Sequence, residues 1–308
     1  MQKPLLMITD PWTTLSHSHD TTLRLLDESL SMGFPAYWSS SEMVLRAAQS
    51  LHNISVIPVI GSAQSFPLQW EEQATSNFHQ IHYRVDPPID FNYISVLDQL
   101  SARLTANAKI MNPPAILKGQ SEKIPPLELA AHTPKLSAVL HHADVLTTQA
   151  LFNATGSNPE SIVTKPNNLA QSLGVKKWKT PTTRAEWETI LSAETENFTK
   201  GIVVQEYLPQ VHEGEVRLWF VGDCLIGTLK KHPKKGDFRV LIDEGSQISK
   251  YELTTSEHDT ALAIGAMLKK QGVGMAAIDL IGGKISDYNI TSPGLLVQME
   301  QVYGGKNF

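Results

Sequence analysis

AAIDLIGGKISDYNITSP, residues 276–293, sets two acids and an amide, Asp279, Asp287 and Asn289, inside sequence that is otherwise apolar and strand-like. Gly282-Gly283 divides it into two runs, the pattern of a β-hairpin closed by a turn that needs positive φ. The two aspartates then fall on adjacent antiparallel strands, and Asn289 shares a face with Asp287 by the two-residue period. Three oxygen ligands can converge there. Hard oxygen donors suit Mg2+ or Mn2+, which bind through a few carboxylates together with nucleotide phosphates. The local sequence leaves a second reading open, in which the acids are solvent-facing turn residues.

Upstream of this stretch, Ser256 and Asp259 stand in capping-box spacing before Leu262, Ile264, Met267 and Leu268, and Gly272 ends the pattern, which predicts a helix. EVRLWFVGDCLIGTLKK, residues 215–231, reads as a hairpin turning at Gly222-Asp223 and is followed by the apolar run FRVLI at 238–242. Residues 120–204 read as a small α+β lobe. It contains a polar helix near 135–142, strands VLTTQAL and ESIVTKP, a loop at 167–174, strand VKKW, a helix over 182–192 and strand IVVQEYL.

The N-terminal part alternates strand and helix patterns. PLLMIT at 4–9 is a buried strand, Leu23, Leu26 and Leu30 mark a helix over 20–32, and Gly33 closes it before FPAYW. ISVIPVI at 54–60 and HQIHYRV at 79–85 are further strands, a helix covers 92–104, and AKIMNPPA, ending near residue 115, is the last strand. The expected class is mixed α/β (α+β), with an N-terminal βα lobe over 1–118, a small central lid lobe over 119–204 and a C-terminal antiparallel-sheet lobe over 205–308.

A chain of 308 residues, 41% apolar and 19% charged, is long enough to bury a large core. Its net charge of -5 and pI near 6.1 argue against a general polyanion binder, although Lys230, Lys231, Lys234 and Lys235 form a local basic group able to meet a small anion. The one cysteine, Cys224, excludes an internal disulfide and fits a reducing compartment, with the cytoplasm as the expected location. The N-terminal run is broken by Asp10-Pro11 and lacks a signal-peptide h-region, and no window reaches the roughly 20 apolar residues of a membrane span. The final residues YGGKNF read as an unpacked tail.

Two upstream stretches add chemistry. Lys165-Pro166 ends the strand SIVTKP and opens a loop with small residues Ala170, Ser172 and Gly174, which can offer backbone N–H groups and a hydroxyl to phosphate oxygens. Gln205-Glu206-Tyr207-Leu208 stands at the end of a buried strand, where backbone and carboxylate can hydrogen-bond an adenine edge while Tyr207 and Leu208 supply apolar walls. No nucleophilic triad is evident: Cys224 sits in a hairpin turn and His141-His142 on a helix face.

The order of these pieces resembles the ATP-grasp superfamily and, within it, prokaryotic glutathione synthetase. The resemblance rests on the strand-end lysine, the small-residue loop, Q-E-Y-L-P, E-x-E-x-R at Glu213 to Arg217, and above all D-L-I-G-x-x-I-x-D-x-N-I-T-S-P at 279–293. DPPID at 86–90, Asp10-Pro11 and Asp20 match as well, so it runs from about residue 4 to 300. It implies an ATP-grasp fold binding ATP between central and C-terminal lobes, and an ATP-dependent ligase that phosphorylates a carboxylate and lets an amine displace phosphate. It further implies that Lys123 and Lys165 contact the phosphates, Gln205 to Leu208 the adenine and Glu215 the ribose. Asp279, Asp287 and Asn289 would hold two magnesium ions, and Arg217, Arg239 and Ser292 would face the acyl phosphate and the amine.

Several positions depart from that pattern. The D-G-M-G-G phosphate loop becomes Asn167-Asn168-Leu169-Ala170-Gln171-Ser172, where Leu169 and Gln171 in place of glycines are expected to limit positive φ, although Q-S-L-G-V is similar to the S-x-G-V loop of other ATP-grasp ligases. R-x-N becomes Arg239-Val240-Leu241, Asp287 replaces a glutamate, and the closing helix is absent after Gly305. His19 replaces a substrate-binding lysine and would be only partly charged at neutral pH. Three functions stay open: glutathione synthetase proper, a related ligase with another substrate pair, and a non-catalytic nucleotide-binding protein. The expected partners are small amino acids or peptides and at most further copies of the chain, with no nucleic acid and no membrane.

Overall fold

The computed structural model describes residues 4–46, 51–63, 65, 69–105, 108–134, 137–140, 159–197 and 201–305. The chain divides into two compact units. One comprises Met1–Gly119, Leu268–Ala276 and Ile290–Phe308, the other Gln120–Met267 and Ala277–Asn289. Mixed α/β structure runs through both, and no described helix is long and apolar enough to cross a membrane.

In the first unit, strands β1 (Leu5–Thr9), β2 (Ala36–Ser40), β3 (Asn53–Val59), β4 (Glu71–Ala74) and β5 (Gln80–Tyr83) form one sheet ordered β4-β3-β2-β1-β5. β1 runs parallel to β2 and β5, the arrangement a helix crossover produces, while β3 and β4 return antiparallel. The helix Thr21–Ser31 starts at Asp20, whose carboxylate accepts from the Thr22 and Leu23 amides, and its Leu23 and Leu26 pack on Met7, Trp38 and Ile57. The helix Phe91–Arg103 is capped in the same way by Asp90.

One expectation fails here, and several elements were not foreseen. AKIMNPPA forms no strand: only Ile110 bridges Ile81, and Pro114 opens a helix, Pro114–Gly119, because a helix's first position needs no N–H donor. The short helix Ser41–Leu45 and strand β4 had no clear periodicity to reveal them. The helix Leu296–Tyr303 was not foreseen, and it makes the first residue of YGGKNF, expected as an unpacked tail, helical.

The second unit holds two sheets. The smaller, ordered β6-β9-β7-β8, consists of β6 (Ser137–Leu140), β7 (Ser161–Pro166), β8 (Lys176–Lys179) and β9 (Ile202–Glu206), all paired antiparallel. The helix Arg184–Asn197 covers it, burying Trp187 and Leu191 against Ile162, Ile202 and Val204. The helix expected near 135–142 is a strand over 137–140. A short apolar run has no period of its own, and pairing of Ser137 through Leu140 with β9 decides it. VLTTQAL and His141-His142 lie outside the described residues.

The larger sheet is ordered β12-β11-β10-β13-β14, from β10 (Glu215–Val221), β11 (Cys224–His232), β12 (Gln247–Lys250), β13 (Met275–Ile281) and β14 (Lys284–Asn289). β10 and β11 turn at Gly222-Asp223 as expected. At the apolar run FRVLI, the Asp237 carboxylate accepts from the Phe238 and Arg239 amides at 2.7 and 2.9 Å, which holds the start of this segment in a local turn. The capping box of the helix Thr255–Gln271 lies two residues before the expected pair. Thr254 Oγ1 accepts from the Glu257 amide at 3.3 Å and the Glu257 carboxylate from the Thr254 amide at 2.9 Å. Ile264, Met267 and Leu268 are buried, whereas Leu262 points outward.

Candidate functional site

The β13–β14 hairpin turns at Gly282 and Gly283, both left-handed with φ of 55° and 75°, and pairs Ile281 with Lys284 and Leu280 with Ile285. That register continued would set Asp279 against Ser286. Instead the ladder shifts after Leu280, and Asp279 faces Asp287, leaving Ser286 as a bulged residue. Without this extra residue, strand alternation would send Asp287 to the face opposite Asp279. The bulge is thus what brings the two carboxylates to one face.

Ser286 also ties neighbouring strands to the hairpin. Its carbonyl accepts from Lys165 Nζ at 2.9 Å, and its hydroxyl lies 2.9 Å from Glu215 Oε1 and 3.2 Å from the Asp279 carbonyl. Lys165 reaches it from the end of β7, Glu215 from the start of β10. Asp287 Oδ1 accepts from Lys123 Nζ at 2.8 Å. Gln205, buried near the end of β9, donates to the Lys123 carbonyl at 3.3 Å. Asn289 Oδ1 is buried and has no hydrogen-bond partner.

Asp279 is the anion of a denser group. Arg217 grips it in a fork, Nε to Oδ1 at 2.8 Å and a terminal nitrogen to Oδ2 at 2.7 Å, and Lys231 Nζ approaches Oδ2 at 2.9 Å. Lys231 stands directly opposite Glu215 in the β10–β11 ladder and reaches its Oε2 at 3.3 Å. Lys231 belongs to the basic group noted in the sequence, but its burial beside Asp279 needed the register to be seen.

Burial and charge move these groups in different directions. Burial opposes ionisation of Asp279, but the Arg217 and Lys231 charges outweigh it and hold its carboxyl well below the usual range. Burial likewise pulls Arg217 down, and Asp279 more than restores it. For Lys123, burial is outweighed by Asp287 and Glu122, so its ammonium sits above the ordinary lysine value. For Lys165, burial prevails over the Asp287 charge and the ammonium sits below it.

The β9 end continues into Glu206, Tyr207 and Leu208. Lys177 Nζ lies 3.6 Å from the Tyr207 ring centroid, and Phe238 packs edge-on at 5.9 Å, so the expected apolar wall carries a cation on one side. In the loop after Lys165, Gln171 and Ser172 adopt positive φ of 55° and 57°, contrary to the expectation that a glutamine there would limit it. Ser172 Oγ lies 3.5 Å from the Val240 carbonyl. Neighbouring Arg239 is paired with Asp237 at 2.8 Å, which raises the arginine above its ordinary value and lowers Asp237 to about 2.

His19 and Ser292 belong to the first unit. His19 is exposed, with Nδ1 2.7 Å from Ser18 Oγ. Ser292 hydrogen-bonds Asp86, whose carboxyl is raised chiefly by burial. Beside it, sequence reasoning missed Arg84, buried at the edge of β5, which donates to Thr22 Oγ1 at 2.9 Å and the Pro293 carbonyl at 2.7 Å. An arginine closing an apolar strand just before Asp86-Pro87 was the available signal.

Among the described residues, no cluster of three or more His, Cys, Asp or Glu side chains could hold a metal, so any oxygen set on the hairpin needs the Asn289 amide. That amide oxygen fits: it is buried, unsatisfied and on the strand of Asp287, whose Oδ2 accepts no hydrogen bond among those described. Two ammonium groups, a carboxylate and an unsatisfied amide oxygen can together receive a polyanion accompanied by a divalent cation.

The comparisons with known proteins agree over both units. The prokaryotic glutathione synthetase N-terminal domain matches residues 4–118. Glutathione synthetase of Parasynechococcus marenigrum (strain WH8102) is 26% identical over 300 residues, covering 96% of this chain and 94% of the relative. That of Neisseria meningitidis serogroup A (strain DSM 15465 / Z2491) is 23% identical, covering 94% and 91%. The crystal structure of D-cycloserine synthetase DcsG superposes with a TM-score of 0.67 at 16% identity, covering 96% of this chain and 94% of that one. VanG D-Ala:D-Ser ligase from Enterococcus faecalis does so with 0.60 at 11%, covering 99% and 95%, a likeness of fold. The prokaryotic glutathione synthetase ATP-grasp domain matches residues 130–304, more than half of the sequence, and the chain belongs to that family.

Proposed function

We propose that the chain is an ATP-dependent carboxylate–amine ligase of the glutathione synthetase type. ATP phosphorylates a substrate carboxylate, an amine attacks the acyl phosphate, and the amide, ADP and phosphate are released. The observation that carries this reading is the convergence of Lys123 and Lys165 on the Ser286–Asp287 bulge beside the unsatisfied Asn289 oxygen.

Phosphoryl transfer asks the protein for position and charge rather than covalent help. Lys123 and Lys165 supply ammonium donors for phosphate oxygens, the first fixed by Asp287 and the second hung on a carbonyl that it can leave for a stronger acceptor. Gln205 through Leu208 offer the strand end for adenine, Glu215 an acceptor for a ribose hydroxyl, and Ser172 a hydroxyl from the loop. Asp287 and Asn289 would hold Mg2+, which screens the oxygens of the transferring group. Arg217, locked by Asp279, supplies a fixed positive charge, and Arg239 faces the acyl phosphate from its loop. His19 and Ser292 contribute to substrate binding.

The test is ADP release measured with Mg-ATP against amino acids and dipeptides, γ-glutamylcysteine with glycine among them. Amine-dependent release with that pair identifies a glutathione synthetase. Release with another pair identifies a related ligase, and nucleotide binding without release refutes the catalytic reading.

A further inference from the structure

The metal reading of the hairpin leads one to expect three ligands and two ions, yet Asp279 differs from Asp287 and Asn289. Both its oxygens are engaged by cations of the chain, Arg217 in a fork at 2.8 and 2.7 Å and Lys231 at 2.9 Å. The group is closed: Arg217, Lys231, Asp279 and Glu215 carry two positive and two negative charges, and their side chains are 11, 5, 3 and 13% exposed. A divalent ion on Asp279 would bind at about 2.1 Å from an oxygen that already holds an ammonium or a guanidinium, two cations on one acceptor in a dry site. Asp287 is unlike this. It is 23% exposed, only its Oδ1 is taken, and Asn289 beside it keeps a buried oxygen with no partner. The segment Arg239-Val240-Leu241 adds no side-chain oxygen.

We propose that the Lys231 ammonium stands in for one of the two cations, so that the site takes a single divalent ion, on Asp287 and Asn289, while Asp279 serves to hold Lys231 and Arg217. This inference rests on the reading of the hairpin as a metal site. Lys231 is then a positioning residue whose fixed charge does part of what a second ion would do, and its place opposite Glu215 on β11 keeps it there.

The experiment counts Mn2+ bound per chain, by the electron paramagnetic resonance signal of free Mn2+, at saturating β,γ-imido ATP. The full chain, Lys231→Met, Lys231→Gln, Lys231→Arg and Asn289→Ala are compared, each checked for a folded circular dichroism spectrum. One ion is expected on the unmodified chain, two on Lys231→Met or Lys231→Gln, where Asp279 becomes free to coordinate, and one again on Lys231→Arg. Two ions on the unmodified chain overturn the proposal whatever the variants do. One ion on a folded Lys231→Met or Lys231→Gln overturns it as well. Asn289→Ala separates the underlying reading: it should weaken Mn2+ at least about tenfold, and unchanged affinity overturns the hairpin metal site itself.

Discussion

Asp287→Asn keeps the shape of the side chain and removes one charge, and the structure changes what that removal should do. Were Asp287 a solvated hairpin acid, nothing would follow. Here its Oδ1 lies 2.8 Å from Lys123 Nζ, and the lysine side chain is only 6% exposed. At that separation, an effective dielectric near 20 gives a gross attraction of about 6 kcal/mol. Asparagine retains the acceptor, Glu122 still faces the lysine, and Asp287 is partly exposed, so the net loss of stability should be roughly 2 kcal/mol. Urea denaturation should show a lower midpoint with an unchanged slope. Metal-dependent ADP release should fall at least about a hundredfold, on the order of 3 kcal/mol of barrier, because the lost charge also faces the transferring group. Lys123→Met combined with Asp287→Asn should recover more than about 1 kcal/mol of stability relative to the summed single effects, since no buried charge is left alone. Activity should not recover. An unchanged midpoint together with wild-type-like turnover, in a preparation whose parent is active, would refute both the pair and its role.

Three further outcomes are expected. Burial holds Lys165 below the ordinary lysine value, so the free protein loses this ammonium earlier on going alkaline; ATP affinity should fall as pH rises through that lowered value, and Lys165→Arg should flatten the fall in calorimetric titrations. Burial, with Arg84 adding to it, holds His82 down at about 3, so below the unfolded value of 6.5 only the unfolded chain takes up its proton, and stability should drop by up to ~1.4 kcal/mol per pH unit between those values. His82→Phe should reduce the difference between urea midpoints at pH 7 and pH 5. Gln171 sits at positive φ, so Gln171→Val should cost about 1 kcal/mol where Gln171→Gly costs nothing, read from thermal unfolding without nucleotide; equal effects would remove the backbone argument.

Much of this architecture was legible in local sequence. The period of PLLMIT and of the Leu23, Leu26, Leu30 set, the turn residues Gly222-Asp223 and Gly282-Gly283, and the stop at Gly272 each report a conformation governed by near neighbours, and each element is present. Expectations failed where the period or spacing of the sequence left two outcomes open and contacts in the folded chain chose between them. Residues 137–140, expected as part of a helix, are a strand because β9 lies beside them. The capping box falls at Thr254 and Glu257 rather than at Ser256 and Asp259, because two hydroxyl–acid pairs stand at the same three-residue spacing and the helix begins at the first of them.

The candidate site divides in the same way. The sequence by itself determined that Asp279, Asp287 and Asn289 lie on two strands of one hairpin, since residue order and a glycine turn are enough for that. Only the tertiary structure decided that the two aspartates face one side, because a single bulged residue, Ser286, reverses the strand's alternation and no local propensity marks it. It likewise decided their partners. Asp279 is neutralised by Arg217 and Lys231 from β10 and β11, and Asp287 by Lys123 from more than a hundred residues away. Charge acts through space, so which carboxylate keeps an oxygen for a metal depends on which cations the folded sheets carry to it.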